Sequence, residues 1–151
     1  MKYVFMSMFI FVCVVAPVSV QACSCEMMIL NRGMLERSTV FAGRVKHIKA
    51  IEAGYGDRIV FFDVTDVWSG EVEQRALVVN NAPCEYEFKV EQYYVVVARP
   101  GELYRFETGM CSGNKQVHAA EDVFEILGEP ITRFDPGKSP WRRWNKERGL
   151  E

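Results

Sequence analysis

Four cysteines constrain the fold of this chain more than any other feature of its sequence. Cys23 and Cys25 form a Cys-Ser-Cys motif, whereas Cys84 and Cys111 stand alone farther along the chain. An even number of cysteines predicts disulfides when a small domain is exported from the cytoplasm. A Cys23–Cys25 bond is unfavourable because one intervening residue holds the two side chains apart. We therefore expect two long-range bonds from the motif to Cys84 and Cys111, and both arrangements remain open.

Residues 1–22 have the character of a signal for export. Lys2 supplies a short basic start, residues 4–15 are almost wholly apolar, and the segment ends on the small residue Ala22. This order is typical of a secretory signal peptide, and the segment carries the fifth cysteine of the chain away with it. A membrane anchor is the alternative, but the apolar run is shorter than the ~20 residues that a spanning helix needs. We predict cleavage after Ala22, which makes Cys23 the first residue of a secreted or envelope protein.

A lipoprotein is the second way in which the mature chain could begin at Cys23. The cysteine after a lipobox is acylated, and a lipobox prefers leucine and a small residue where this chain has Val20 and Gln21. The weak match makes lipidation the minority interpretation, and we expect membrane contact only if Cys23 is lipidated. Two disulfides at the Cys-Ser-Cys motif would hold the start of the mature chain firmly. Their role is either to display this terminus or only to stabilise a modest core.

Charge and motif content exclude several functions. Loss of Lys2 with the signal leaves 17 basic and 20 acidic residues, a net charge of −3. This balance argues against nucleic-acid binding, which needs a basic surface. Asp63 and Asp66 are three residues apart on a predicted strand and point to opposite faces, so they form no acid–base pair. His47 and His118 lack neighbouring ligands, and no catalytic motif is present. We expect a monomer with neither enzymatic activity nor a cofactor.

The rest of the chain predicts a mainly β domain. Five segments rich in β-branched and aromatic residues are separated by turn residues, and two segments have helix-forming character. Five strands with two flanking helices predict a small barrel, and an OB-fold has this strand count. A sandwich remains the alternative. The predicted strands are residues 39–51, 58–68, 74–80, 93–98 and 103–108, and the predicted helices are residues 26–37 and 116–127.

Residues 129–151 differ from the domain at residues 23–128. They contain three prolines, the sequence Trp141-Arg142-Arg143-Trp144, and six basic against four acidic residues. The segment is either a flexible tail or an arm docked on the domain through its tryptophans. Alternating basic and aromatic residues are also typical of segments that contact membranes or acidic surfaces.

These features together resemble the netrin-like domain and are most similar to bacterial proteins related to the tissue inhibitors of metalloproteinases. The resemblance covers Cys23 to about Gly128 and is carried by the opening Cys-Ser-Cys and the later single cysteines. It is supported by the segments STVFAGRVKHI, FFDVTDVWSGEV, YYVVVA, ETGMC and DVFEILG. The resemblance implies a five-stranded OB-type barrel. It also implies that Cys23 pairs with Cys84 and Cys25 with Cys111.

The resemblance further implies a mode of action. In the animal inhibitors the α-amino group and carbonyl of the first cysteine, here Cys23, chelate the catalytic zinc of the protease. The next side chain, here Ser24, enters the specificity pocket. Cys25 and the loop before Cys84, with Ala82 and Pro83, would contact the same enzyme. Netrin-like domains also serve as binding modules without a protease target, so a non-inhibitory module of the cell envelope is the alternative function.

Overall fold

Five strands form the body of the protein. The computed structural model describes residues 23–25, 31–52, 56–102 and 105–150. Buried side chains alternate with less buried ones along residues 75–80, because the pleat directs successive side chains to opposite faces. Residues 39–43 and 94–98 are instead buried on both faces. The five strands are β1 (Thr39–Ala50), β2 (Arg58–Ser69), β3 (Arg75–Asn80), β4 (Tyr93–Pro100) and β5 (Phe106–Thr108).

The strands close into a barrel. Their order around the sheet is β1-β2-β3-β5-β4, and β4 pairs again with β1 from Thr39↔Ala98 to Arg44↔Tyr93. The β3–β5 pair is parallel, and the other pairs in the barrel are antiparallel. A closed five-stranded barrel with this crossing order is an OB-type fold. The predicted mainly β barrel is thus confirmed, and the alternative of a sandwich is wrong.

The two predicted helices are shorter in the structure. Helix α1 covers Arg32–Leu35, and residues 26–30 of the predicted first helix lie outside the described residues. Helix α2 covers Glu121–Leu127, so the prediction that it begins at residue 116 is wrong. The reason is that Lys115–Gln116 forms a short strand, β6, whose residues pair with β4, and a 3₁₀ turn separates β6 from α2. No helix among the described residues has the length and apolar character needed to cross a membrane.

The C-terminal segment is a docked arm rather than a flexible tail. Thr132–Arg133 forms strand β7, which pairs with β2 through Asp66↔Arg133 and Val67↔Thr132. Helix α3 covers Pro140–Glu147, with Ser139 as its N-cap. The Ser139 Oγ accepts a hydrogen bond of 3.1 Å from the backbone N–H of Arg142, and proline at the first helical position is favourable because it has no N–H to satisfy. We call residues 129–150 the arm.

Two apolar cores support the fold. The first fills the barrel and contains a chain of edge-to-face rings, with Phe62 5.5 Å from Phe41 and 5.4 Å from Phe88, and Phe88 5.0 Å from Tyr94. The second lies between the outer side of β1 and β4 and the two C-terminal helices. Its fully or almost fully buried members are Val40, Ala42, Val95, Val97, Ala120, Val123, Phe124 and Trp141.

Candidate functional site

Both disulfides attach the N-terminal motif to one end of the barrel. Cys23 is bonded to Cys84 with a Cα–Cα distance of 5.6 Å, and Cys25 is bonded to Cys111 with a Cα–Cα distance of 5.2 Å. This is the pairing that the family resemblance implies. The bonds span 61 and 86 positions in sequence, so both join distant parts of the chain.

The partners Cys84 and Cys111 are close to each other because they follow neighbouring strands. Strands β3 and β5 run parallel and end together at the pair Asn80↔Thr108. Beyond that pair, the Met110 N–H donates to the Cys84 carbonyl at 2.7 Å. A Cβ atom on Gly109 would lie only 3.0 Å from the same carbonyl, so this close approach favours glycine. The two loops therefore form one surface, across which residues 23–25 lie.

A buried asparagine fixes the loop that carries Cys84. The Asn80 side chain donates to the Tyr86 carbonyl at 2.8 Å and accepts from the Tyr86 N–H at 2.9 Å. The Ala82 N–H donates to Asp57 Oδ1 at 2.7 Å, and the Ala82–Pro83 peptide is cis. These contacts hold residues 81–86 against the barrel.

A second buried asparagine fixes the loop that carries Cys111. Asn114 Oδ1 accepts from the Val97 N–H at 2.9 Å, and Nδ2 donates to Thr108 Oγ1 at 2.8 Å and to the Gly109 carbonyl at 3.1 Å. Thr108 Oγ1 donates in turn to the Val97 carbonyl at 2.9 Å. Every polar atom of this network has a partner, as buried polar groups require. The sequence prediction missed the roles of Asn80, Asn114 and Gly109, because an asparagine or glycine at a strand end or in a loop gives no sign of its hydrogen-bond partners.

The resulting surface is exposed but firmly supported. Ser24, Cys25 and Pro83 are exposed, whereas Cys23 and Ala82 are half-buried. The neighbouring Met110 side chain, which the sequence did not single out, keeps 46% of its surface exposed. We call residues 23–25, 82–84 and 110–111 the disulfide ridge. Its exposed side chains are small or apolar, and its four thiols are oxidised, so they are not thiolate ligands.

Groups next to the ridge have structural rather than chemical roles. Tyr86 packs on Phe88 with ring centroids 4.8 Å apart, and burial, followed by the nearby Tyr94, raises the pKa of its phenol, which therefore stays neutral. Glu85 pairs with Arg58 at 3.3 Å. Within the described ranges, no group of three or more histidine, cysteine, aspartate or glutamate side chains is placed to bind a metal ion.

The other titratable residues considered in the sequence lie away from the ridge. Asp63 is half-exposed and pairs with Arg44 at 3.6 Å, whereas Asp66 is fully buried under the arm. His47 packs against Phe61 on the outside of the barrel, with ring centroids 4.5 Å apart. The structure thus brings together the cysteines, Ser24 and the Ala82–Pro83 loop, and leaves these residues elsewhere.

The fold and the ridge together define a class: an OB-type barrel whose N-terminal Cys-x-Cys motif is bound by disulfides to the end of the barrel. No protein-family model matches the chain, and no curated protein matches it.

Proposed function

We propose that this protein, after removal of residues 1–22, inhibits a zinc metalloproteinase by inserting the disulfide ridge into its active site. The observation that carries the proposal is the placement of residues 23–25. Ser24 is exposed between two cysteines that are each bonded to the barrel. A terminus held in this way has little conformational freedom to lose on binding, which favours affinity.

The chemistry of the proposal is chelation by the main chain. A catalytic zinc keeps an open coordination position for water or substrate. The α-amino nitrogen and the carbonyl oxygen of Cys23 would occupy it as a five-membered chelate and displace the water. The amine must be neutral to donate its electron pair, and with an ordinary pKa of about 8 it loses its proton readily. The small hydroxymethyl side chain of Ser24 would enter the pocket next to the zinc.

The rest of the ridge would supply the flanking contacts. Pro83 and Met110 are exposed apolar side chains on the two loops that carry Cys84 and Cys111. Both loops are held by the hydrogen bonds of buried asparagines, so they would meet an enzyme surface without rearrangement. Two disulfides are also compatible with the extracellular or periplasmic location that such an inhibitor would need.

The test compares mature proteins that differ only at the terminal amine. Mass spectrometry first establishes whether the natural mature chain begins at Cys23 with a free amine. Residues 23–151 are then assayed against a panel of zinc metalloproteinases, beside a form with one alanine added before Cys23 and a form with one alanine added after Glu151. We expect inhibition by the first and third proteins and none by the second.

Two results would contradict this function. The first is an acyl group on Cys23, or any residue left ahead of it, in the natural mature protein. The second is inhibition that survives the added N-terminal alanine. Partner binding that persists when the amine is blocked would instead support a non-inhibitory binding module of the cell envelope.

A further inference from the structure

Helix α3 has two faces of different character. Trp141 is buried in the outer core, and Trp144 packs on Phe124 with ring centroids 5.5 Å apart. The tryptophans thus attach the helix to the barrel and are not available as a membrane anchor. Arg142 and Arg143 occupy the remaining surface of the helix and are exposed.

Three cations on that surface form one site. The side chains of Arg142, Arg143 and Lys146 line a shallow concavity of about 310 Å³ together with Ser139 and the Pro136–Gly137 turn. Residues three and four apart on a helix are neighbours, so Lys146 lies beside both arginines. We call Arg142, Arg143 and Lys146 the cationic face of α3.

Arg143 and Lys146 of the cationic face differ from Arg133, Lys138 and Arg148 in their pairing. Arg133 pairs with Glu129 at 2.6 Å, Lys138 pairs with Asp135 at 2.7 Å, and Arg148 pairs with Glu125 of α2. Within the part of the chain that the structure describes, Arg143 and Lys146 form no ion pair. No described carboxylate pairs with these two charges.

Exposed aliphatic side chains occur on the arm and on α2. Ile131 and Leu150 of the arm expose 70% and 63% of their surface, and Ile126 of α2 exposes 45%. Leu150 lies at the same end of α3 as Lys146, because its N–H donates to the Asn145 carbonyl at 3.2 Å. Cations accompanied by exposed aliphatic side chains are typical of surfaces that lie on a membrane.

The distribution of charge explains why this surface matters in an acidic protein. The chain without residues 1–22 carries a net charge of −3. If this charge were spread evenly over the surface, an anionic bilayer would repel the protein. The arm instead carries six basic and three acidic residues, so it is positive although the chain as a whole is negative. The concavity is shallow and open, which suits a plane of headgroups better than an inserted peptide.

We propose that the cationic face of α3 binds the anionic phospholipid headgroups of a membrane surface and holds the barrel on that surface without a lipid anchor. The ridge lies at the end of β3 and β5, whereas α3 packs on the outer side of β1 and β4. Membrane contact through α3 therefore leaves the ridge accessible and does not depend on its proposed function.

The experiment measures binding of oxidised, unlipidated residues 23–151 to sedimented vesicles. Vesicles of phosphatidylcholine are compared with vesicles that also contain phosphatidylglycerol. We expect binding only to the anionic vesicles and weakening as salt rises. Each cation at an anionic surface contributes about 5-fold in partitioning, so Arg143→Gln with Lys146→Gln is expected to lower the partition coefficient about 25-fold.

A matched control removes the same charge elsewhere. Lys49 and Arg58 are exposed on the barrel, at the end of the β1–β2 pair that lies far from the contact of β2 with the arm. Lys49→Gln with Arg58→Gln gives the same net charge as the first double variant. We expect this control to bind within about 2-fold of the unaltered protein, because headgroup attraction decays within a Debye length. Unchanged tryptophan fluorescence in solution verifies that every variant keeps the arm docked.

Three results would overturn the proposal. One is the absence of binding to anionic vesicles at low salt. Another is an equal loss in both double variants, which would indicate attraction to the whole molecule. The last is release from vesicles by millimolar inorganic phosphate or by soluble polyglutamate at constant ionic strength, which would identify a free anion or an acidic protein as the ligand.

Discussion

The two ends of the described chain are attached to the same barrel by different means. Residues 23–25 are mostly exposed and are held by two covalent bonds. The arm contains no cysteine and is held by the pairing of β7 with β2 and by burial of Trp141. Because disulfides fix a segment without burying it, the ridge can display its own residues. The arm must bury its aromatic anchors, so its exposed surface consists largely of charged side chains.

The polar groups beneath the two regions differ as well. Asn80 and Asn114 under the ridge use both their donors and their acceptors. Under the arm, Asp66 is fully buried and accepts a hydrogen bond of 3.1 Å from Thr65 Oγ1 at its Oδ2 atom. Three buried atoms at this junction, Asp66 Oδ1, Arg133 Nε and Trp141 Nε1, find no hydrogen-bond partner among the described residues. Incomplete pairing is costly, so we expect the arm to detach more easily than the ridge.

Removal of a disulfide tests this comparison with the largest expected effect. Cys25→Ser combined with Cys111→Ser opens a loop of 86 positions, and we expect the free energy of unfolding to fall by about 4 kcal/mol because the unfolded chain gains entropy. Urea denaturation followed by far-ultraviolet circular dichroism measures the change. Tryptophan fluorescence under native conditions is expected to stay the same, since all three tryptophans, Trp68, Trp141 and Trp144, belong to the core under the arm.

Ser24→Ala is the control for this variant. Ser24 is exposed, so we expect its replacement to change stability by less than about 0.5 kcal/mol. A cost below about 1 kcal/mol for the double cysteine variant would show that noncovalent contacts hold the ridge, and the contrast between the two regions would be lost.

The barrel strands were predictable from sequence because their signal is local. Strand β2 was recognised by its β-branched and aromatic residues, and its predicted and observed ends agree within one residue. Gln116 illustrates the limit of such reasoning. It continues a helical pattern into α2, yet it pairs with Tyr94 of β4, a contact distant in sequence.

The arm and the supports of the ridge were harder to predict. Helix α3 carries only two apolar residues, Trp141 and Trp144, and its best local signal is the N-cap sequence Ser139-Pro140. Asn114 is a polar residue in a loop and therefore predicts exposure, whereas the structure buries it between β4 and the Cys111 loop. Long-range partners of this kind follow from the closed barrel and not from the neighbouring residues.

Truncation of Trp141, whose burial attaches the arm to the barrel, has the second largest expected effect. Trp141→Ala removes a large buried side chain, and we expect it to destabilise docking of the arm by about 3 kcal/mol. Emission of the remaining Trp68 and Trp144 should shift to longer wavelength as their rings gain water. The ridge should remain protected, which hydrogen exchange at the Met110 N–H measures through its bond to the Cys84 carbonyl.

The exposed Arg143 of the same helix supplies the control for Trp141→Ala. Arg143→Ala should leave both the fluorescence and the exchange unchanged, because this side chain is exposed. Equal loss of protection at the Met110 N–H and in the arm after Trp141→Ala would mean that the two regions unfold as one unit.

A dependence on pH gives the smallest expected effect and tests the polar junction under the arm. Burial raises the pKa of Asp66 above its ordinary value, while hydrogen bonds from Ser139 and Thr65 and the charge of Arg133 act in the opposite direction. The docked arm therefore holds the Asp66 proton to a higher pH than the unfolded chain does. Between these two pKa values the stability of docking is expected to fall as pH rises, and fluorescence-detected unfolding at a series of pH values measures it.

Asp66→Asn isolates this contribution. Hydrogen bonds from Lys115 and Lys138 lower the pKa values of the exposed Asp122 and the half-exposed Asp135, respectively. Their contributions to stability are therefore lost as pH falls, which is opposite in sign to the contribution of Asp66. Salt screens exposed pairs much more than buried groups. At high salt, the slope of docking stability against pH that remains therefore belongs to Asp66. The Asn variant should abolish that slope, because an amide does not titrate. A slope that persists in Asp66→Asn would show that the polar junction does not control attachment of the arm.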